Sequence, residues 1–271
     1  MSDMFDLGDR VAVVTGASGA LGSAIARALG LAGAKVALLA RQEEGLRRVH
    51  EALTSEGIDA FPLTADVLSS ADLDAARDAV LERWGRVDAL VCAAGGQVPG
   101  AIVAPEGSFT DIPEDAFRAA LDLNVLGTWL PCQAFAGPLV ASGEGAIVTI
   151  SSMAASRALT RVPAYGAAKA AIDSVTRSLA VELAQRHGDR LRVNAIAPGF
   201  FIGAQNRALL LDDAGQPTAR GRAILAHTPA GRFGEPADLG GAAVWLCSPA
   251  SRFVTGTVIA VDGGFGAFSG V

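Results

Sequence analysis

Seven short apolar runs, separated by segments of helical periodicity or longer connections, constrain this chain more than any other feature. The runs cover 11–14, 35–40, 60–64, 88–92, 146–150, 191–196 and 258–261. A run without polar alternation suits a strand buried on both faces, and strands alternating with helices build a parallel sheet covered on both sides. Helical spacing marks about 21–31, 43–55, 71–84, 113–130 and 163–185, and a last helix begins at Glu235. The expected fold is therefore α/β, a doubly wound parallel seven-stranded sheet with helices on both faces. Pro62 lacks a ladder donor and suits an edge strand or a strand end. Pro131 or Pro138 is expected to kink or end the fourth helix.

No linker, composition break or short repeat divides the 271 residues, and a 51% hydrophobic share allows one large core. A single domain over 1–271 follows. The stretch from about 199 to 232 has only short helical signals, and a long irregular segment in a compact domain suits a lid over a site. The formal charge, 22 − 28 = −6, comes with no basic block, which argues against nucleic acid as partner. No apolar run reaches the ~18 residues of a membrane span. The acidic N-terminus lacks the apolar region of a signal peptide. Cys92, Cys132 and Cys247 are scattered, as in a reduced cytoplasmic protein. His50, His187 and His227 lack metal-ligand spacing, so no metal is expected; His227 borders the lid and is a further substrate candidate.

Between the first strand and first helix lies Thr15-Gly16-Ala17-Ser18-Gly19-Ala20-Leu21-Gly22. Small residues let backbone approach a pyrophosphate, and the helix N-terminus offers N–H groups and positive dipole. With a strand before and a helix after, the turn reads as a dinucleotide cradle of the Rossmann type, with Gly16, Ser18, Gly19, Leu21 and Gly22 as its contacts. At the end of the second strand an acid would take the ribose hydroxyls of NAD(H). Here Ala40 stands before Arg41, whose guanidinium suits a 2′-phosphate. NADP(H) is favoured, with NAD(H) the alternative.

The one tyrosine, Tyr165, stands four residues before Lys169, on one helical face. A free phenol titrates near ~10, too high for a neutral-pH base, and a neighbouring cation is expected to lower that value. Ser152 closes the strand 146–150 with a second hydroxyl, so serine, phenol and ammonium are expected to converge on one oxygen.

With this glycine turn, Ser152, Tyr165-x-x-x-Lys169, Pro198-Gly199 and Val261-Asp262-Gly263-Gly264 in order, the chain resembles the short-chain dehydrogenase/reductase family from Asp9 to Gly264. The resemblance implies a catalytic set of Asn124, Ser152, Tyr165 and Lys169, with Asn124 holding a relay water. It implies that Tyr165 and Lys169 also hold the nicotinamide ribose side. Asp66 and Val67 would border the adenine, while Ala94, Gly95, Pro198 and Gly199 would wall the cofactor. Three departures stand out. Cys92-Ala93-Ala94-Gly95 replaces the family's usual Asn-Asn-Ala-Gly, Ala20 replaces a common glycine, and Gly203 stands where a threonine is usual. Carboxamide anchoring would then rest on backbone near Ile202.

The C-terminal third resembles more narrowly a sugar-acid branch, the D-mannonate oxidoreductases or fructuronate reductases. It does so through Phe200-Phe201, Gln205-Asn206-Arg207, His227-Thr228-Pro229 and Gly231 to Pro236. A sugar acid needs a cation for its carboxylate, and Arg157, Arg161 and Arg207 are candidates, with Gln205 and Asn206 beside them. Other keto acids, polyols or 3-oxoacyl substrates are alternatives. The spacing of Tyr165 and Lys169 disfavours an enoyl reductase, whose branch sets them farther apart. A non-catalytic dinucleotide-sensing scaffold is the rival of another class, opposed by retention of Ser152, Tyr165 and Lys169. By the same resemblance the Phe- and Gly-rich tail would pack on a neighbouring subunit of a homotetramer.

Overall fold

The structure is a computed structural model that describes residues 4–203 and 206–270. Seven parallel strands form one sheet: β1 (Val11–Thr15), β2 (Lys35–Ala40), β3 (Ala60–Thr64), β4 (Ala89–Cys92), β5 (Gly145–Ile150), β6 (Leu191–Pro198) and β7 (Val258–Val261). Their spatial order is β3-β2-β1-β4-β5-β6-β7. Pro62 falls on β3, an edge strand, where a missing donor costs the ladder nothing on the open side.

The apolar runs split by parity. Along β1, Ala12 and Val14 face α1 (Ala20–Leu31), α2 (Glu43–Ser55) and α9 (Gly240–Cys247), through Ile25, Leu29, Leu46 and Leu246. Val11 and Val13 face the other layer. That layer holds Leu73 and Val80 of α3 (Ser70–Trp84), Phe135 and Leu139 of α5 (Gly127–Ala141), and Ala180 of α6 (Pro163–His187). Burying each such Leu or Phe fully is worth ~1.5–3 kcal/mol, and two-sided burial is why the strands are apolar throughout. Asp88, buried just before β4, accepts the Val11 N–H at 2.9 Å and pairs with Arg86 at 2.6 Å, tying β4 to the start of β1.

The prolines depart from expectation. The helix from 114 is interrupted before either of them, by one turn of π-helix, Asp122–Leu126, between α4 (Glu114–Leu121) and α5. It then continues through Pro131 and Pro138 to Ala141. Pro131, Cys132, Phe135 and Leu139 are all buried, and this packing holds the helix where propensity alone would end it.

Between β1 and β4 the strand order reverses, and the chain opens a crevice above the carboxyl ends of the strands. The turn after β1, Ala94-Gly95 after β4, Ser152 after β5 and Pro198-Gly199 at the end of β6 all sit at that end of the sheet. Beyond β6 the segment to Arg232 contains α7 (Arg207–Leu210) and α8 (Ala219–Ala226). It is pinned at its base by a bridge between Phe201 and Gly234.

Candidate active site

The glycine turn is built from backbone. Gly16 has φ +64°, and a Cβ there would lie 2.7 Å from the Ala93 carbonyl oxygen and the Ala94 Cα. A Cβ on Gly22 would collide with the Gly16 carbonyl. Glycine is therefore required at both places. Gly19 caps α1 without any side-chain hydrogen bond, and the first turn carries no acid, so the helix N-terminus is open to an anion. Ala94 N–H donates to the Thr15 hydroxyl at 3.1 Å, which braces β4 against β1 in place of the family's missing asparagines. Gly95, at φ +147°, leaves a gap that a Cβ would close, 2.8 Å from Asn124 Oδ1 and 3.5 Å from Lys169 Nζ. These residues fit a dinucleotide laid across the switch point.

Asn124 lies in the π-turn and is fully buried. Its Oδ1 accepts the Gly96 N–H at 3.0 Å, and its Nδ2 donates to the Gly96 and Ala120 carbonyls at 2.9 Å each. Its carbonyl accepts the Thr128 hydroxyl at 2.8 Å. The side chain thus clamps the loop beside Gly95, and the π-turn, a distortion often found at functional sites, is what aims it there.

Ser152, Tyr165 and Lys169 come together as expected. The Ser152 hydroxyl accepts the Ala154 N–H at 3.1 Å and lies on the side of the Tyr165 phenol, whose ionised form it favours. Lys169 is 4% exposed, donates to the Ile150 carbonyl at 2.7 Å, and lies 5.5 Å from the Tyr165 ring centroid. The predicted direction of the phenol's shift needs correction. Burial pushes the Tyr165 phenol up, Ser152 opposes it, and the net change is upward. The ammonium is itself the desolvated partner. Burial pulls Lys169 down to about 8, and Asp173, one turn along α6, opposes that fall. Asp173 is held by the Ser151 hydroxyl at 2.5 Å.

The remaining cofactor candidates are placed as follows. Asp66 accepts the Leu68 N–H at 3.0 Å, and Val67 is buried, lying where a Cβ on Gly127 would meet it at 3.0 Å. Gly199 packs so closely on Asp262 that a Cβ would lie 2.7 Å from its Cα. Ile202 N–H donates to the Gly234 carbonyl at 3.3 Å, so this group is already shared with the chain. Ser18 and Arg41 are exposed at the crevice side, and Arg41 has no carboxylate partner among the described residues.

The substrate candidates divide. Arg157 donates through Nε at 3.0 Å and through a second nitrogen to the Gly266 carbonyl, which ties it to the C-terminal segment. Asn206 is structural: its Oδ1 accepts the Gly203 N–H at 2.8 Å and its Nδ2 donates to the Phe201 carbonyl at 2.7 Å. Arg207 is exposed on α7. Gln205 lies outside the described residues. Arg161 adopts φ +73° and donates from Nε to the Val103 carbonyl at 2.6 Å. His227 is exposed and bonds the Ala223 carbonyl at 2.9 Å. The tail folds on its own chain, with Phe265 edge-on to Phe200 at 5.1 Å and Phe268 6.2 Å from the His227 ring. Sequence reasoning missed Asp173, although its spacing from Lys169 is visible.

The family profile described as "Enoyl-(Acyl carrier protein) reductase" matches residues 16–266. UxuB of Bacillus subtilis, an oxidoreductase of uncharacterised activity, is 44% identical, covering 98% of each chain. A solved structure from Haemophilus influenza, a candidate D-mannonate oxidoreductase with bound NAD, is 38% identical over 98% of each chain, with TM-score 0.92. A gluconate 5-dehydrogenase from Burkholderia cenocepacia, in complex with NADP and tartrate, is 33% identical over 98% of each chain, with TM-score 0.86. With likeness of this strength along nearly its whole length, this chain belongs to the short-chain dehydrogenase/reductase family of NAD(P)-dependent oxidoreductases.

Proposed function

We propose that the protein interconverts a secondary alcohol and a ketone on a sugar acid of the D-mannonate/D-fructuronate type. The observation that carries the chemistry is the convergence of half-buried Ser152 and Tyr165 on the buried ammonium of Lys169 beside Gly95. When bound, the nicotinamide cofactor supplies or accepts the hydride. Tyr165 holds the proton that moves to or from the substrate oxygen, and Ser152 hydrogen-bonds that oxygen. Because burial keeps the phenol protonated, Tyr165 is well suited to donate in the ketone-reducing direction. Lys169, held by Ile150 and supported by Asp173, keeps a cation beside the phenol and the ribose position. Asn124 fixes the Gly95-Gly96 wall. A placed acid/base contributes typically ~10²–10⁴ in rate, and orientation supplies the rest.

The sugar-acid substrate rests on likeness to the Haemophilus protein and to the gluconate 5-dehydrogenase. The dinucleotide lies on Gly16, Ser18, Gly19, Leu21, Gly22, Asp66, Val67, Ala94, Pro198, Gly199 and the Ile202 backbone. Arg41 favours NADP(H), although the Haemophilus relative holds NAD. The segment 199–232 acts as the lid, and the chain assembles as a homotetramer. Steady-state kinetics with D-fructuronate, NADPH against NADH, tests the reading. The expected result is turnover with a preference for NADPH that Arg41→Asp reverses. Turnover of 3-oxoacyl or uncharged polyol substrates but not of D-fructuronate would overturn the substrate assignment.

A further inference from the structure

We infer that Arg161 and Arg220 together form the subsite that receives the substrate's carboxylate, bridging the loop after β5 to helix α8. The inference rests on the sugar-acid reading and deepens it. Arg161 stands two residues before α6, whose first turn carries Tyr165, so it borders the reacting centre along the chain. Arg220 is in the first turn of α8, across from it. It reaches the same loop, donating to the Thr160 hydroxyl at 3.1 Å and more weakly to the Thr160 carbonyl at 3.4 Å. Both side chains belong to half-buried residues.

Neither guanidinium has a carboxylate partner among the described residues, whereas Arg10, Arg27, Arg77, Arg86 and Arg232 each have one. Arg220 also sits in an unfavourable setting for a cation. Burial first, and then the charge of Arg161, disfavours the charge on Arg220. A partly desolvated cation held against the residue next to a second arginine, without an anion, is an arrangement that an anion relieves. The free donors suit one. The Val103 carbonyl occupies only Nε of Arg161, leaving both terminal nitrogens as an open fork, the geometry that accepts a carboxylate in two parallel hydrogen bonds. Arg161 holds this position on a backbone of positive φ, a conformation that non-glycine residues adopt only where the surroundings hold it. Arg157, the neighbouring candidate, is already committed to Gly266. Because one arginine comes from the loop and the other from the segment 199–232, a bound carboxylate would also draw the two together.

Calorimetric titration of D-mannonate into NADP⁺-loaded protein tests the subsite, comparing the wild type with Arg161→Ala, Arg220→Ala and Arg220→Lys. Each alanine variant should weaken binding at least tenfold, and Arg220→Lys should recover part of the loss, because it restores charge without the fork. Unchanged NADP⁺ affinity and circular dichroism would show that the variants fold. Affinity for D-mannonate within twofold of wild type in both alanine variants would overturn the subsite while leaving the functional reading intact. If the wild type reduces no sugar acid, the functional reading falls separately, and tartrate titrated into the same proteins decides the subsite. Binding lost in Arg220→Ala upholds it; equal binding, or none to the wild type, overturns it.

Discussion

The turn after β1 and the segment from Gly199 to Arg232 flank the same crevice but are built by opposite means. In the turn, backbone meets backbone: a side chain on Gly16 or Gly22 would strike main-chain atoms of the same crevice wall. The second segment is held by side chains, with Asn206 clamping Phe201 and Gly203, Thr218 capping α8, and Arg220 reaching Thr160. A surface made of main-chain N–H groups changes little when side chains are substituted. A surface made of side chains can be changed one residue at a time, so specificity is free to vary there without disturbing the cradle.

The sharpest test lies where the two regions meet. Tyr165→Phe keeps the ring and removes the proton, so kcat should fall by roughly 10²–10⁴. Dinucleotide affinity, read by fluorescence titration, should stay near wild type. Full activity in this variant would remove the phenol from the mechanism. On the backbone side, Gly22→Val forces a side chain into the Gly16 carbonyl. Overpacking of this kind costs ~1–3 kcal/mol, so dinucleotide affinity should drop at least about tenfold, or the chain should fail to fold. Normal affinity would show that the turn is less constrained than its geometry implies.

On the side-chain side, Asn206→Ala removes two hydrogen bonds, each worth ~0.5–1.5 kcal/mol, from a partly exposed loop. KM for substrate should rise several-fold, with dinucleotide affinity and Tm nearly unchanged. An equal loss of dinucleotide affinity would break the division between the two regions. The smallest effect is a pH signature of Lys169. Its folded pKa, about 8, lies below the usual lysine value near ~10.4, so between these the unfolded chain binds more protons and stability rises with pH. The contribution is full above the unfolded value and lost as pH falls through 8. Thermal melts from pH 7 to 10 should show the wild type gaining on Lys169→Met as pH rises. Parallel curves would mean that the ammonium is less desolvated than its burial implies.

Much of the site was legible because it depends on local rules. The glycine spacing after β1, the four-residue offset of Tyr165 and Lys169, and the serine closing β5 each follow from strand, turn and helix periodicity. The edge position of Pro62 was legible for the same reason. What failed did so at long range. Pro131 and Pro138 remain inside α5 because packing overrides propensity. The net effect on the Tyr165 phenol reversed because burial, invisible in the chain, pushes it up and outweighs the opposing influence of Ser152. The backbone partners of Asn206 and Arg157, namely Phe201, Gly203 and Gly266, were likewise not visible in the sequence. Arg220 emerged only because α8 folds back over Thr160, sixty positions away in the chain.

The amino-acid order alone specified the layered parallel sheet and the approach of Ser152, Tyr165 and Lys169 to one another, since periodicity and helical spacing act over a few residues. Which arginines lack a carboxylate partner, which way burial moves a phenol and an ammonium, and what braces the segment beyond β6 were settled by tertiary contacts. Those quantities depend on solvent exclusion and on partners distant in the chain, and no local pattern encodes either.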